Sequence, residues 1–323
     1  MSEVLLTTQV GSLPKPPYIT KARAQFKKGD IGLEGLRELE KKAIREAIQM
    51  QEEIGIDILV DGEFYRGDMV EYFAEQLTGF KISGLVRSYG NRYYHKPIIA
   101  DKVKWEKPLT VDWFEFAQSL TSKPVKAILT GPYTMVDWSF DEYHPNRRSA
   151  VLDMTNFIRE EVKALEAAGA QYIQIDEPAL SVRPEEIDLA IEAMGIVTKG
   201  IHAKTLTHIC YGTFERIYPK LLEMPVDQID LEMANSKYDM LELFKKYPFT
   251  KELGLGVVDV HSHRLESVEE VVNGIKKALE VLKPEQIYPD PDCGLKTRTW
   301  DEAKAKLEVI VKGRNIVRSE LGL

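Results

Sequence analysis

The chain has 323 residues, 44% of them hydrophobic, a formal net charge of −8 and two cysteines. This length suffices for one large α/β domain with a full core. The acidic balance argues against nucleic acid or an anionic membrane as a partner, and two cysteines exclude a disulfide framework. No secretory signal opens the chain and no apolar run approaches the ~20 residues of a membrane helix, so we expect a cytoplasmic protein.

Short apolar runs alternate with amphipathic stretches of helical period. The runs predict strands over residues 4–10, 56–60, 125–129, 172–175, 205–210, 228–231, 253–258 and 286–288. The clearest helices are predicted over 36–54, with Gly55 as the C-cap, and over 147–168, 185–194 and 299–318. Thr299 and Glu302 have the spacing of a capping box.

The segment 64–108 is too long for an ordinary βα loop of ~2–6 residues. Its aromatic residues around a Gly-Asn turn at 89–94 make a hairpin plausible, so we interpret it as an insert after the second strand. Eight strand–helix units predict a single α/β domain over 1–323, a (β/α)₈ TIM barrel. A doubly wound open sheet is the alternative, but no glycine fingerprint follows the first strand.

Chemically active residues cluster where predicted strands end. They are Ser12, Glu63, Asp176, His208, Cys210, Glu232, His261 and Cys293. In a barrel these ends share the face on which active sites are built. The sequence therefore favours an enzyme.

A zinc site is the most specific chemistry that these residues offer. His208 and Cys210 are two residues apart on one strand, so both side chains point to the same face. Cys293 supplies a second thiol, and Glu232 is the candidate for the fourth ligand of a tetrahedral site. The alternatives are buried cysteines with a core histidine, and a solvated loop carboxylate at Glu232.

The charge of this ligand set indicates which reaction zinc would support. Two thiolates and a carboxylate leave the zinc complex with a net charge of −1, which makes it a poor activator of water. A substrate thiol that displaces the carboxylate would lose its proton and remain an electron-rich nucleophile. The set therefore favours alkyl transfer to sulfur over hydrolysis.

Other residues at the strand ends suit an amino-acid substrate. Glu63 and Asp176 are available for an α-ammonium group, and the Val10-Gly11-Ser12 segment for a carboxylate. As alternatives, Asp176 could cap the following segment, and Glu63 could pair with Arg66 or Arg92.

Two further residues have candidate roles. His261 is a candidate general acid oriented by Asp259, or else a polar residue at the rim. Trp138 could stack on a flat ring or lie in the core.

Five motifs together resemble the catalytic barrel of cobalamin-independent methionine synthase. They span most of the chain and lie at residues 8–14, 61–73, 174–180, 208–211 and 291–298. The resemblance implies a zinc enzyme that methylates homocysteine to methionine. It places the zinc ligands on His208, Cys210, Glu232 and Cys293, the homocysteine contacts on Val10, Ser12, Glu63 and Asp176, the acid on His261, and, more weakly, folate contacts on Trp138 and Arg92.

The chain departs from the full-length family in having no second barrel for the polyglutamate tail of methyltetrahydrofolate, and in having His263 where the family has proline. It therefore resembles the short, core-only forms. We expect the methyl donor to be methylcobalamin or a corrinoid protein, with 5-methyltetrahydrofolate as the alternative.

Three other functions compete with this reading. A related zinc alkyltransferase could act on another thiol such as coenzyme M, although the acidic Glu63 and Asp176 argue against an acidic thiol. A zinc hydrolase would need a more positive ligand set. A non-catalytic barrel could hold a structural zinc ion.

Overall fold

The computed structural model describes residues 4–87, 93–210 and 214–323. Its α-helices are α1 (Pro17–Lys28), α2 (Leu33–Ile54), α3 (Glu71–Ala74), α4 (Val111–Gln118), α5 (Pro132–Asp137), α6 (Arg147–Ala167), α7 (Ile187–Thr198), α8 (Met240–Lys246), α9 (Val268–Leu279) and α10 (Trp300–Leu321). Its strands are β1 (Thr78–Arg87), β2 (Tyr93–Lys104), β3 (Lys126–Thr130), β4 (Phe140–Asp141), β5 (Tyr172–Asp176), β6 (Lys204–Ile209), β7 (Gln228–Leu231), β8 (Glu252–Val258) and β9 (Ile287–Pro291). None of the helices in the described ranges has the length and apolarity to cross a membrane.

The residues form two compact units. Unit 1 comprises Met1–Tyr65, Trp113–Lys126 and Gln228–Leu323, and unit 2 comprises Arg66–Asp112 and Ala127–Asp227. A single domain over the whole chain stays a prediction, and the two units are described separately.

Unit 1 contains the parallel strands β7, β8 and β9. Ile229 pairs with Leu253, and Leu253 pairs with Ile287. Every residue of β7 and β9 is buried, as expected of parallel strands that are covered on both faces.

The first two predicted strands are irregular segments of unit 1. The carbonyl of Thr7 accepts hydrogen bonds from the backbone N–H groups of Asp57 and Ile58, at 3.2 and 3.0 Å. The Asp57 carboxylate in turn accepts hydrogen bonds from the backbone N–H and the hydroxyl of Thr7, both at 2.8 Å. Hydrogen bonds to the Asp57 side chain replace part of the backbone hydrogen bonding between the two segments, so the segments pair without forming regular strands.

Two helices of unit 1 confirm a predicted end, whereas α2 begins three residues before the predicted residue 36 and α10 runs three residues past the predicted residue 318. Gly55 ends α2 in the left-handed conformation, at φ 92°. Thr299 and Glu302 form the capping box that begins α10.

Unit 2 contains β5 and β6 as a parallel pair, with β3 beside β5. The predicted insert forms the antiparallel strands β1 and β2, and β4 pairs with β2. The turn that was predicted to join β1 and β2 lies mostly outside the described residues. The long helix α6 begins after Asn146, whose side chain accepts a hydrogen bond from the backbone of Ser149.

Candidate functional site

In unit 2, His208 and Cys210 lie at the carboxyl end of β6. His208 is 3% exposed and Cys210 is 4% exposed. A ring nitrogen of His208 and Sγ of Cys210 lie within 4.8 Å of each other, as the spacing of two residues on one strand predicted. The pair therefore presents two soft or borderline donor atoms in the same direction.

Asp176 is the last residue of β5, the strand next to β6. Its carboxylate accepts a hydrogen bond of 2.8 Å from the side-chain amide of Gln174. The next backbone N–H, that of Glu177, donates to the carbonyl of His208 at 3.1 Å. The carboxylate predicted to bind an ammonium group is thus fixed close to the His208 strand end.

The sequence analysis assigned no role to Glu177, although it follows Asp176 directly. Its fully buried carboxylate accepts hydrogen bonds from the backbone N–H groups of Tyr133 and Thr134 and from the Thr134 hydroxyl, at 3.0, 2.7 and 2.7 Å. Burial raises the pKa of Glu177 to about 7, against the effect of these hydrogen bonds. A Cβ on Gly131 would lie 2.2 Å from this carboxylate, so only glycine fits there.

In unit 1, Glu232 directly follows β7 and Cys293 follows β9 by two residues. The residue before Cys293, Asp292, is completely buried. Its carboxylate accepts backbone hydrogen bonds from residues 233, 234 and 235, at 2.9, 2.8 and 2.7 Å. Burial raises the pKa of Asp292 to about 7. Asp292 had no predicted role. Its side chain holds the segment that follows Glu232, and its backbone directly precedes Cys293, so it connects the two predicted zinc ligands of unit 1.

His261 contacts Glu232 through its ring. Nε2 of His261 lies 2.6 Å from Oε1 of Glu232, and this hydrogen bond raises the pKa of the imidazole. Asp259 accepts a hydrogen bond of 2.8 Å from the backbone N–H of His261. The described contact of Asp259 is thus with the backbone, whereas Glu232 orients the imidazole ring.

The segment proposed to bind a carboxylate is attached to two neighbouring loops of unit 1. The carbonyl of Ser12 accepts a hydrogen bond of 2.8 Å from the backbone of Leu295, and Leu13 donates to Gly62 at 3.1 Å. A Cβ on Gly294 would lie 2.1 Å from the Ser12 hydroxyl oxygen, so glycine leaves room for that hydroxyl. Val10 and Gly11, which precede Ser12, are buried.

Glu63 lies in the turn that follows the second predicted strand. It is half-buried and has a positive φ of 57°. Its backbone N–H donates to the Asp61 carboxylate at 2.8 Å, which fixes this strained turn.

The two residues suggested for donor binding differ in what the structure describes. Trp138 directly follows α5 in unit 2 and is half-buried, and its carbonyl accepts a hydrogen bond of 3.2 Å from the Tyr94 hydroxyl. Trp138 is therefore not a core residue. Arg92 lies outside the described residues.

The chemistry of the donor set fits zinc. Unit 2 offers the imidazole of His208 and the thiol of Cys210 at the end of β6. Unit 1 offers the carboxylate of Glu232 after β7 and the thiol of Cys293 after β9, and all but Cys293 are buried. Borderline nitrogen and soft sulfur donors favour Zn²⁺ over Mg²⁺ or Ca²⁺.

Known proteins match the chain over almost its whole length. A family model described as the catalytic domain of cobalamin-independent synthase matches residues 5–314. The chain is 43% identical to a methionine synthase of Saccharolobus solfataricus, over 98% of this chain and 96% of that protein. It is also 43% identical to a methionine synthase of Sulfurisphaera tokodaii, over 98% and 94% of the two chains.

A solved structure agrees with these matches. The B12-independent methionine synthase of Shewanella sp. W3-18-1, in complex with selenomethionine, is 30% identical and superposes with a TM-score of 0.88, over 98% of this chain and 99% of that chain. The predicted fold class, a (β/α)₈ barrel with an insert after the second strand, is confirmed by this likeness.

The expectation of a methylcobalamin or corrinoid-protein donor is wrong. The family that matches is described as cobalamin-independent, and the similar solved structure is described as B12-independent. The expectation rested on the lack of a second barrel in this sequence, which by itself does not identify the donor. With 310 matched residues (5–314) and relatives that are 43% identical, the chain belongs to the cobalamin-independent methionine synthase family and is an enzyme, a methyltransferase.

Proposed function

We propose that this protein methylates the thiol of L-homocysteine to give L-methionine, with 5-methyltetrahydrofolate as the methyl donor and one zinc ion bound by His208, Cys210, Glu232 and Cys293. Relatives over the full length carry the name methionine synthase, and the similar Shewanella structure is in complex with selenomethionine, an analogue of the product. The observation that carries the proposal is the buried His208–Cys210 pair, whose donor atoms lie within 4.8 Å.

Zinc held by two thiolates and a carboxylate lowers the pKa of a substrate thiol while leaving the sulfur nucleophilic. This electron-rich ligand set is better suited to alkyl transfer than to the activation of water. The protein's own residues then have to bind and orient homocysteine and the donor.

The amino-acid part of homocysteine is assigned to the residues at the other strand ends. The backbone of Val10 and Gly11 and the hydroxyl of Ser12 would bind its carboxylate, and Glu63 and Asp176 its ammonium group. The Gln174 amide supports this role because it orients the Asp176 carboxylate at 2.8 Å. Acidic residues in this role do not suit an acidic thiol such as coenzyme M.

Binding of the methyl donor is assigned to Trp138 and Arg92. Trp138 would stack on the flat pterin ring, and Arg92 would lie near that ring. The half-buried position of Trp138 at the end of α5 supports a stacking role because its side chain is partly accessible. His261, whose backbone is fixed by Asp259, would supply the proton that the departing folate nitrogen takes up.

X-ray absorption at the zinc edge tests the central part of this proposal. The zinc-loaded protein should show two sulfur ligands per zinc ion, and homocysteine should add a third. Cys210→Ser should remove one sulfur ligand from the zinc coordination shell, both without and with homocysteine. A coordination shell that homocysteine leaves unchanged would exclude the thiol-activation mechanism, and a zinc-free protein with full activity would exclude zinc.

A further inference from the structure

We propose that His261 is a positioning residue that receives the Glu232 carboxylate when the thiol of homocysteine takes its place at the zinc ion. The inference rests on the proposed function, since it takes Glu232 as a zinc ligand. It gives His261 a second role, beside the proton transfer proposed above, in which it makes this ligand exchangeable. The starting observation is the contact of 2.6 Å between Nε2 of His261 and Oε1 of Glu232.

The release of the buried Glu232 carboxylate from a cation carries a cost. The side chain of Glu232 is only 8% exposed. A carboxylate that leaves a cation in such a place, without a hydrogen-bond donor to receive it, loses several kcal/mol of solvation. His261 supplies that donor, and its side chain is 30% exposed and so retains room to adjust.

The backbones on both sides of the contact between His261 and Glu232 are fixed. After Glu232, the Asp292 carboxylate holds three consecutive backbone N–H groups. On the other side, Asp259 accepts from the backbone of His261 at 2.8 Å and its own backbone N–H donates to Glu266 at 3.2 Å. Rotation of the Glu232 side chain would then be enough to move its carboxylate from the zinc ion to His261.

The loop that carries His261 is itself anchored in the core of unit 1. Glu266 forms an ion pair of 2.8 Å with Lys306, and the Lys306 side chain is 0% exposed. Lys306 also donates to the carbonyl of Arg264 at 2.6 Å. A loop fixed in this way has no need to reorganise when the carboxylate arrives, so the receiving group is preorganised.

The exchange is balanced in charge. Homocysteine enters as the thiol and releases its proton to water, and its thiolate replaces the carboxylate as a ligand. One anionic donor, the thiolate sulfur, would replace another, the Glu232 oxygen, so the number of anionic ligands would stay at three, and the freed carboxylate would keep its hydrogen bond to His261.

Zinc affinity and homocysteine affinity together test this role in the full-length protein. The variants are His261→Ala and His261→Gln, which retains a donor near the position of Nε2. The control is His263→Ala, because His263 contacts Glu302 at 2.8 Å but is 72% exposed at its side chain. Zinc affinity is measured by competition with a chromophoric chelator, and homocysteine affinity by calorimetry on the zinc-loaded protein.

We expect His261→Ala to keep its zinc affinity within about threefold and to bind homocysteine roughly tenfold to a hundredfold more weakly, as for the loss of a hydrogen bond to a charged group. His261→Gln should restore most of that affinity, and His263→Ala should match the unaltered protein. Unchanged homocysteine affinity in His261→Ala would overturn the inference. So would a fall in zinc affinity alone, because His261 would then only support Glu232 as a ligand.

The unaltered protein separates this inference from the proposed function. If homocysteine adds no sulfur ligand even there, the proposed function fails and the inference fails with it. If the sulfur ligand is added equally well in His261→Ala, the inference alone fails.

Discussion

The buried carboxylate of Asp292 holds the backbone that directly follows Glu232. It accepts three backbone hydrogen bonds from residues 233–235, at 2.7–2.9 Å, while its own backbone precedes Cys293. Two proposed zinc ligands from different strand ends of unit 1 are therefore positioned by one side chain.

Asp292→Asn should weaken zinc binding. The amide nitrogen of asparagine would face a backbone N–H that now donates to the carboxylate, so at least one of the three hydrogen bonds is lost. Residues that orient metal ligands typically contribute ~10–100-fold to metal affinity, and we expect a loss in this range by chelator competition. The exposed Asp301→Asn serves as control. Equal zinc affinity in both variants would contradict the positioning role.

Gly294→Ala should weaken homocysteine binding more than it affects stability. The added Cβ would lie 2.1 Å from the Ser12 hydroxyl oxygen, which would have to rotate away from the substrate carboxylate. Losing a hydrogen bond to a charged group costs about 1.5–3 kcal/mol, so we expect KM for homocysteine to rise roughly tenfold or more. Gly195→Ala in α7 is the matched control, because its Cβ would meet only Pro225 at 3.7 Å. A KM that stays constant in Gly294→Ala would show that Ser12 does not contact the substrate.

Glu177 should make the fold less stable as the pH rises. Burial raises its pKa to about 7 from the ordinary value of 4.5, so the native protein retains a proton that the unfolded chain releases. The stabilisation is fully present below about pH 4.5 and is lost as the pH rises through about 7, by roughly 3 kcal/mol in total. Urea unfolding between pH 5 and pH 8 should show this slope, and Glu177→Gln should lack the part that Glu177 contributes, while the part from Asp292, whose pKa burial also raises to about 7, remains. The exposed Glu160→Gln should retain it, and identical slopes in the unaltered protein and Glu177→Gln would refute the assignment.

Glu161 should be one of the strongest single contributors to the stability of unit 2. The carboxylate of this buried residue of α6 accepts hydrogen bonds from the indole of Trp105 and from the backbone N–H groups of Leu109 and Thr110. The shortest distances to these three donors are 2.7, 2.9 and 2.7 Å. Glu161→Ala leaves these donors without an acceptor, and each buried donor costs ~1–3 kcal/mol. We expect a loss of about 3–5 kcal/mol in the free energy of unfolding, measured by urea titration. A loss below about 1 kcal/mol would mean that water replaces the carboxylate.

Strand ends were predictable from the sequence because burial on both faces leaves continuous apolar runs. The runs that became β5 to β9 end within about three residues of the observed ends, and this places His208, Cys210, Glu232 and Cys293 at or just after the ends of strands. The irregular pairing of the first two segments was not predictable, because it depends on the Asp57 side chain reaching Thr7.

The residues that support the site were missed for a similar reason. Glu177 and Asp292 adjoin assigned residues, but their roles depend on loops that are 43 and 57 residues away in sequence. Contacts of this range leave no local pattern. Gly131 and Gly256 are local signals of the tight space that these side chains need, because an added Cβ would lie 2.2 Å from the Glu177 carboxylate and 2.1 Å from the Asp292 carboxylate.

The measurement that tests the central claim most directly follows the methyl group itself. The zinc-loaded protein is incubated with homocysteine and either 5-methyltetrahydrofolate or methylcobalamin, each with a ¹³C-labelled methyl group, and methionine is detected by mass spectrometry. The account predicts labelled methionine from the folate, with formation abolished in Cys293→Ser. Labelled methionine from methylcobalamin alone would contradict the account, and so would a product that carries the methyl group on any atom other than the homocysteine sulfur.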